Sequence, residues 1–353
     1  MAKVIMKGNE AFSKAAILGG CRYFFGYPIT PQNEVPEYLS RELFEVGGTF
    51  IQAESEVAAI NMVYGAGAAG ARVMTSSSSP GIALKQEGIG YCVMGEIPCV
   101  IVSVMRGGPG LGTIQPSQSD YNQATRGGGN GDYHLPVLAP GSIQEAVDDI
   151  KEAFEIAEFY RTPVMVVADG LIGQMMEPVD FDVPVKTRKQ ADKSTWALGM
   201  SPKGKTNTIV NLEIDAHTCE ERNLRFFRDK YAVIEKEEVK YNEFMMEDAE
   251  YAFVAYGTTS RIVKNSVKEL REKGYKIGLI QPRTLWPFPQ VPFQNKNIKK
   301  FIVCEMSMGQ MVPDVQLAVG DKDKVTFYGR CGGVIPTPEE CAAYAEKVMG
   351  GDK

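Results

Sequence analysis

Tyr23-Phe24-Phe25-Gly26-Tyr27-Pro28-Ile29-Thr30-Pro31 is a short apolar run that stops at a glycine and passes into a turn punctuated by two prolines. It reads as a strand, Tyr23-Phe24-Phe25, followed by a loop and then by a helix over 33–44. The same alternation recurs on either side. Upstream, Asn9 reads as the cap of a helix running to Leu18 and ending at Gly19-Gly20. Downstream, strands are expected at 49–51, 72–74 and 98–104, with helices over 56–69 and 82–93. After a glycine-rich stretch, Ser142 reads as the cap of a helix reaching Tyr160, and 163–168 as the strand that closes the sheet. Such alternation is the pattern of a parallel α/β sheet covered on both faces.

From Pro178 to Asp248 the sequence loosens into charged segments interrupted by Pro and Gly, with some helix around 220–236. A second α/β set follows, with strands expected at 251–256, 276–280 and 300–304 and helices over 259–273 and 338–348. The expected organisation is therefore two α/β domains, 1–177 and 249–353, separated by a linker over 178–248. A chain of 353 residues is long enough to bury two cores.

The chain carries 38 basic and 44 acidic residues, a formal charge of −6 spread along its length. It has no clustered basic stripe of the kind a nucleic-acid surface needs, so nucleic acid is not an expected partner. No apolar run is long enough to span a bilayer and the first residues do not read as a signal peptide; a cytoplasmic location is expected. The seven cysteines include no C-x-x-C pair, which leaves no thiolate set for an iron–sulfur cluster and no tidy set of disulfides. His134 and His217 lack metal-ligand spacing and read as turn or surface residues. Gly65-Ala66-Gly67-Ala68-Ala69-Gly70 has the dinucleotide spacing, which raises a nicotinamide-linked dehydrogenase as a rival. The stretch closes a helix instead of opening one, and so reads better as close helix packing.

The chemistry-bearing candidates fall at successive strand ends, where open α/β sheets bind ligands. Thr30, fixed between two prolines, is either a hydrogen-bonding group in a binding loop or part of a rigid turn. Glu54 and Glu56, in Gln52-Ala53-Glu54-Ser55-Glu56, either serve chemistry or complement a helix dipole. Arg106, in Met105-Arg106-Gly107-Gly108-Pro109, either grips a carboxylate in two-pronged fashion or forms a structural ion pair. The glycine-rich stretch 107–131 either approaches a ligand or forms a mobile surface loop.

Together, Tyr27-Pro28-Ile29-Thr30-Pro31, Glu54-Ser55-Glu56-Val57-Ala58-Ala59, Thr75-Ser76-Ser77-Ser78-Ser79-Pro80-Gly81 and Arg106-Gly107-Gly108-Pro109 resemble, in order and spacing, the α subunits of 2-oxoacid:ferredoxin oxidoreductases. The resemblance covers most of residues 6–177, and the last third looks like that family's transketolase C-terminal-like domain. Within the family the chain is most similar to the branch acting on 3-methyl-2-oxobutanoate (2-ketoisovalerate), especially through Gly110-Leu111-Gly112-Thr113-Ile114-Gln115-Pro116-Ser117-Gln118.

The resemblance implies a thiamine diphosphate-binding (pyrimidine-type) parallel-sheet domain. Glu56 would hydrogen-bond the aminopyrimidine ring, favouring the imino form that removes the thiazolium C2 proton; Pro28 and Ile29 would flank the cofactor. Thr30 and Arg106 would contact the oxo and carboxylate groups of the 2-oxoacid. The activity implied is oxidative decarboxylation to an acyl-CoA, with coenzyme A collecting the acyl group and electrons passing to ferredoxin. One departure is informative. The Gly-Asp-Gly segment with a later Asn, which thiamine enzymes use for Mg2+ and diphosphate, is absent; Gly129-Asn130-Gly131-Asp132 lacks its layout. The implied partners are therefore a β chain carrying Mg2+ and the diphosphate, a γ chain, and a ferredoxin-like δ chain, with the iron–sulfur clusters on partners. A 2-oxoglutarate preference, or a scaffold subunit with a decayed site, are the readings that remain beside it. Arg126, in the glycine-rich stretch, is the residue that would favour 2-oxoglutarate if it reached inward.

Overall fold

The computed structural model describes residues 3–350. Its first half alternates as the punctuation demands: β1 (Val4–Lys7), α1 (Gly8–Leu18), β2 (Tyr23–Gly26), α2 (Glu34–Glu45), β3 (Thr49–Gln52), α3 (Glu56–Ala68), β4 (Val73–Ser77), α4 (Ser79–Met94) and β5 (Cys99–Met105). A long loop holding α5 (Tyr121–Thr125) leads to β6 (Val137–Leu138), α6 (Ile143–Tyr160), β7 (Pro163–Asp169), α7 (Gly170–Gln174) and β8 (Met176–Val179). Ser142 caps α6 as expected, its hydroxyl accepting from the Glu145 N–H at 3.1 Å.

Asn9 is not a cap. It lies inside α1, wholly buried, and its amide donates to the Pro31 carbonyl at 2.8 Å and the Glu34 carboxylate at 2.7 Å. Those partners sit more than 20 residues away, so local sequence offers no hint of them. The amide ties α1 to the turn after β2.

After β8 the chain crosses the surface to α8 (Ala216–Arg225) and α9 (Ala232–Glu237), joined by a π-helical turn, then β9 (Tyr241–Phe244). The second α/β set comprises β10 (Tyr251–Val254), α10 (Gly257–Glu272), β11 (Ile277–Pro282), β12 (Thr284–Trp286), β13 (Lys300–Glu305), α11 (Val312–Val319), β14 (Val325–Gly329) and α12 (Pro338–Gly350).

The large sheet has seven strands in the order β12-β6-β7-β5-β4-β2-β3, all parallel except β12, which runs antiparallel to β6. The expectation that this sheet ends at β7 is therefore corrected: β12 arrives from the second set, pairing Trp286 with Val137. The smaller sheet has the order β14-β13-β10-β11-β9, parallel except at β9. β1 and β8 form a separate antiparallel pair. Buried apolar residues cover both faces of the large sheet, such as Ile101 and Val167 on one and Val102 and Val166 on the other, which is why its strands read as continuous apolar runs.

His134 is also reassigned: half-buried, it stacks on Trp286 with ring centroids 4.7 Å apart. Burial pushes its imidazole below the usual histidine range.

A candidate active site at the strand ends

After β2 the chain moves out to β3 on one side and then returns past β2 to β4 on the other. The carboxyl ends of β2 and β4 thus flank a topological switch point, where an open α/β sheet leaves a crevice for a ligand. Thr30 follows β2, Glu56 follows β3, the serine run follows β4 and Arg106 follows β5.

Ser55 is the N-cap of α3, accepting from the Ala58 N–H at 3.2 Å, which fixes Glu56 as the first residue of the helix. The two candidate carboxylates now separate. Glu54 is exposed and takes a hydrogen bond from Ser55, whereas Glu56 is 6 % exposed and accepts no hydrogen bond from any described residue. Its carboxylate lies over Gly81 in the first turn of α4. A Cβ at Gly81 would come within 2.6 Å of Glu56 Oε1 and 2.1 Å of Ser77 Oγ, so only glycine leaves that space open. The Ser77, Ser78 and Ser103 hydroxyls are buried here without partners. Buried polar groups of this kind are costly unless something meets them.

The other flank of the α4 N-terminus is held by Arg106. Its backbone N–H donates to Ser79 Oγ at 3.0 Å, and the Ser79 hydroxyl also contacts Asp120. The Arg106 guanidinium donates to the Thr30 carbonyl and the Leu111 carbonyl, both at 2.9 Å, while its Nε is buried without a partner. Arg106 and Thr30 therefore meet, through the Thr30 backbone. Ile29 and Thr30 are half-buried beside the crevice and Pro28 is exposed. Burial raises the Asp120 carboxyl to about 6, against the opposing pulls of the Ser79 hydroxyl and the Arg106 charge.

The glycine-rich stretch is anchored instead of free. Gly107 and Thr113 form a tight loop, the Thr113 N–H donating to the Gly107 carbonyl at 2.8 Å, and Gly107 and Gly333 lie too close to this loop's packing for any side chain. Gln118, wholly buried, pins the loop to the second α/β set: it donates to the Tyr256 carbonyl at 2.8 Å and accepts from Thr259 at 2.6 Å and the Met306 N–H at 2.9 Å. Leu111 and Ile114 project from the loop tip, 81 % and 57 % exposed. Arg126 is drawn away, paired with Asp314 at 3.0 Å. Gly128 and Gly129 pack on Gln86, and Asn130 and Asp132 are exposed.

Among the described residues no group of three or more His, Cys, Asp or Glu is placed to hold a metal ion, and all seven cysteines are free thiols. What the strand ends do fit is the acidic edge of the site: a buried carboxylate with its acceptor capacity unspent, as an aminopyrimidine edge requires. Sequence reasoning missed Lys85 and Asp120, and it quoted Ser79 and Gln118 only within longer motifs, without a role of their own. Lys85 had a readable signal, because it shares a helix face with Ile82 and Ile89 and so puts a charge on an apolar stripe.

Residues 14–250 match the family "pyruvate flavodoxin/ferredoxin oxidoreductase, thiamine diP-bdg", and residues 249–341 match "pyruvate:ferredoxin oxidoreductase core domain II". The chain belongs to this family of thiamine diphosphate-binding 2-oxoacid:ferredoxin oxidoreductases. It is 48% identical over 335 residues to the ketoisovalerate oxidoreductase subunit VorB of Methanothermobacter marburgensis, covering 94% of each chain. It is 38% identical to the 2-oxoglutarate synthase subunit KorA of Methanocaldococcus jannaschii, covering 95% of this chain and 97% of that one. Among solved structures it superposes on the 2-oxoglutarate:ferredoxin oxidoreductase of Magnetococcus marinus, bound to 2-oxoglutarate, coenzyme A and succinyl-CoA, with a TM-score of 0.88 and 29% identity. That match covers 98% of this chain and 65% of the other, so this chain spans about two thirds of that longer one. A split-gene transketolase, 12% identical with a TM-score of 0.61, shares the fold. The nicotinamide reading falls with the structure too, since Gly65–Gly70 ends α3 and precedes β4.

Proposed function

We propose that this chain is the α subunit of a multi-chain enzyme that oxidatively decarboxylates branched-chain 2-oxoacids such as 3-methyl-2-oxobutanoate to acyl-CoA, reducing ferredoxin. The observation that carries the catalytic part is the Glu56 carboxylate, buried at the switch point with no hydrogen-bond partner while Arg106 and Thr30 stand across the same α4 N-terminus. Glu56 holds the aminopyrimidine edge, with Pro28 and Ile29 beside it. When bound, thiamine diphosphate supplies the nucleophile and the electron sink for decarboxylation. Arg106 spends two of its five N–H donors on the Thr30 and Leu111 carbonyls, which leaves three to meet a substrate carboxylate. Thr30 contributes its hydroxyl toward the oxo group. Mg2+ and diphosphate binding, the iron–sulfur clusters, and the β, γ and ferredoxin-like δ chains complete the enzyme, which works in the cytoplasm. Residues 1–177 form the thiamine pyrimidine-binding unit, 178–248 the linker, and 249–353 the transketolase C-terminal-like unit.

Two observations favour a branched-chain substrate. The VorB relatives are nearer in identity than the KorA relatives, and Arg126 is committed to Asp314 instead of offering a second carboxylate a partner. A dicarboxylate would then lose the hydration of its second charge without compensation. Against this stands the close superposition on a 2-oxoglutarate enzyme. The test is kcat/KM for 3-methyl-2-oxobutanoate and for 2-oxoglutarate on the purified complex. We expect the branched acid to win, with related aliphatic 2-oxoacids close behind because one methylene is worth only about 1–3 kcal/mol. A clear preference for 2-oxoglutarate overturns the assignment.

A further inference from the structure

The seam between α3 and α4 holds a buried lysine. Gly81, Lys85 and Gly88 are spaced so that they share one face of α4. That face is pressed onto α3: a Cβ at Gly81 would meet Glu56 Oε1 at 2.6 Å, and one at Gly88 would meet Ile60 Cγ2 at 2.4 Å. Lys85 therefore lies one turn below the Glu56 carboxylate, with both glycines letting the helices close around it. It is wholly buried, its ammonium donates to Thr75 Oγ1 at 3.3 Å, and no carboxylate among the described residues comes within ion-pair distance. The surrounding elements offer little else. β4 and β5 carry no charged side chain. Asp169 at the end of β7 accepts from Leu171, Ile172 and Thr258 through Oδ1, its Oδ2 lying buried without a partner, and Asp120 faces Ser79 and Arg106.

We propose that Lys85 is a positioning residue for Glu56: its ammonium, enclosed in the α3–α4 seam, supplies the charge that holds the glutamate as an acceptor toward the cofactor. The proposal rests on Glu56 being the residue that meets the aminopyrimidine. It has a pH consequence. Burial lowers Lys85 to about 8, with the Glu56 charge pulling the other way. The lysine is charged below that value and loses its charge as pH rises through it, so the support under Glu56 is withdrawn on the alkaline side of neutrality.

Two measurements test this. In the full chain without cofactor, lysines carrying a 13Cε label are titrated by NMR, the Lys85 signal being identified by its loss in Lys85→Met. We expect a midpoint near 8 that moves to lower pH in Glu56→Gln, because the carboxylate that favoured the ammonium is gone. An unmoved midpoint overturns the proposal. In the assembled complex, kcat/KM is followed against pH. The wild type should decline above about pH 8 and Lys85→Arg should carry the decline to higher pH. Lys85→Met should lack that limb and run about tenfold slower below it, roughly the effect of removing one neighbouring charge from an acid–base group. A role in packing alone would leave the limb where it is in Lys85→Arg, and that result also sinks the idea. The two readings fail separately. If Glu56→Gln keeps near-normal turnover, the Glu56 reading is wrong; if Glu56→Gln is inactive while Lys85→Met keeps the wild-type rate and limb, only the Lys85 proposal is.

Discussion

Glu56 and Glu305 lie near the carboxyl ends of parallel strands in two different sheets, Glu305 as the last residue of β13 and Glu56 as the first residue of the helix after β3. Each stands where a parallel strand gives way to the next helix, and each is buried, 6 % and 0 % exposed. Their surroundings differ completely. After β13 the chain folds back so that Ser307 Oγ donates to Glu305 at 2.8 Å and the Met311 N–H at 3.1 Å, and the carboxylate becomes the centre of a turn. After β3 the helix starts at once, capped by Ser55, and nothing turns back onto Glu56. A buried carboxylate that its own chain satisfies is part of the fold, and one at a crevice to which no described residue donates keeps its acceptors free for a ligand.

The sharpest way to break this comparison is to neutralise Glu56. Glu56→Gln in the assembled complex should stay folded and melt only slightly below the wild type, since no hydrogen bond to a described residue is lost and only the charge beside the buried Lys85 goes, while turnover falls by about two to four orders of magnitude, the range for removing an acid–base group. Thiamine C2 proton exchange is the direct readout, and near-normal exchange would return Glu56 to a helix-dipole role. Glu305→Gln should leave turnover nearly untouched.

Arg106 gives the next largest effect. Arg106→Lys keeps the charge but cannot bridge the Thr30 and Leu111 carbonyls in the same planar fork. Losing charge-assisted hydrogen bonds of roughly 1.5–3 kcal/mol should lower kcat/KM for the 2-oxoacid about 10- to 100-fold. Cofactor C2 exchange should persist. A loss of exchange equal to that in Glu56→Gln would mean that the two flanks of α4 are not separate functions.

The strand ends and the Glu56 side of this contrast were legible beforehand, because they are written locally, whereas nothing in the sequence singled out Glu305. Apolar runs closed by Gly26, by Gln52 and by Arg106-Gly107 announce the strand ends, and the order of the strand-end residues carried the family resemblance. What stayed hidden depends on distant partners. Nothing near Thr284–Trp286 says that this strand leaves its own set to pair with Val137–Leu138, since the pairing joins segments well over a hundred residues apart. Gln118 looks like any loop glutamine until Tyr256, Thr259 and Met306 close around it. The choice between Glu54 and Glu56 was likewise local in origin, decided by the Ser55 cap, but its outcome needed Gly81 from another helix.

The structural member of the pair yields a stability effect without a catalytic one. Glu305→Ala removes the acceptor for the buried Met311 N–H and the Ser307 hydroxyl. An unsatisfied buried donor costs about 1–3 kcal/mol, so the melting temperature should drop while activity per folded complex holds. A variant as stable as the wild type would show that the turn before α11 does not depend on its carboxylate.

The smallest effect is in how that stability depends on pH. Burial raises the Glu305 carboxyl from 4.5 to about 7, although Ser307 and the backbone N–H groups beyond it pull the other way. In the unfolded chain the group ionises near its ordinary value, so between about pH 4.5 and 7 the folded state holds a proton that the unfolded state has released. The unfolded state binds fewer protons across that window, and stability contributed by this residue therefore falls as pH rises through it. Glu305→Gln has no such proton to lose. Denaturant melts of the two proteins across pH 4 to 8 should show the wild type losing ground against the variant inside the window, and running parallel to it outside. Glu56→Gln provides the control, since its removal should leave the slope attributable to Glu305 in place. Parallel curves for wild type and Glu305→Gln throughout would mean that the turn after β13 stabilises the ionised carboxylate fully, and would erase the distinction between a carboxyl held by its own chain and one that burial alone dominates.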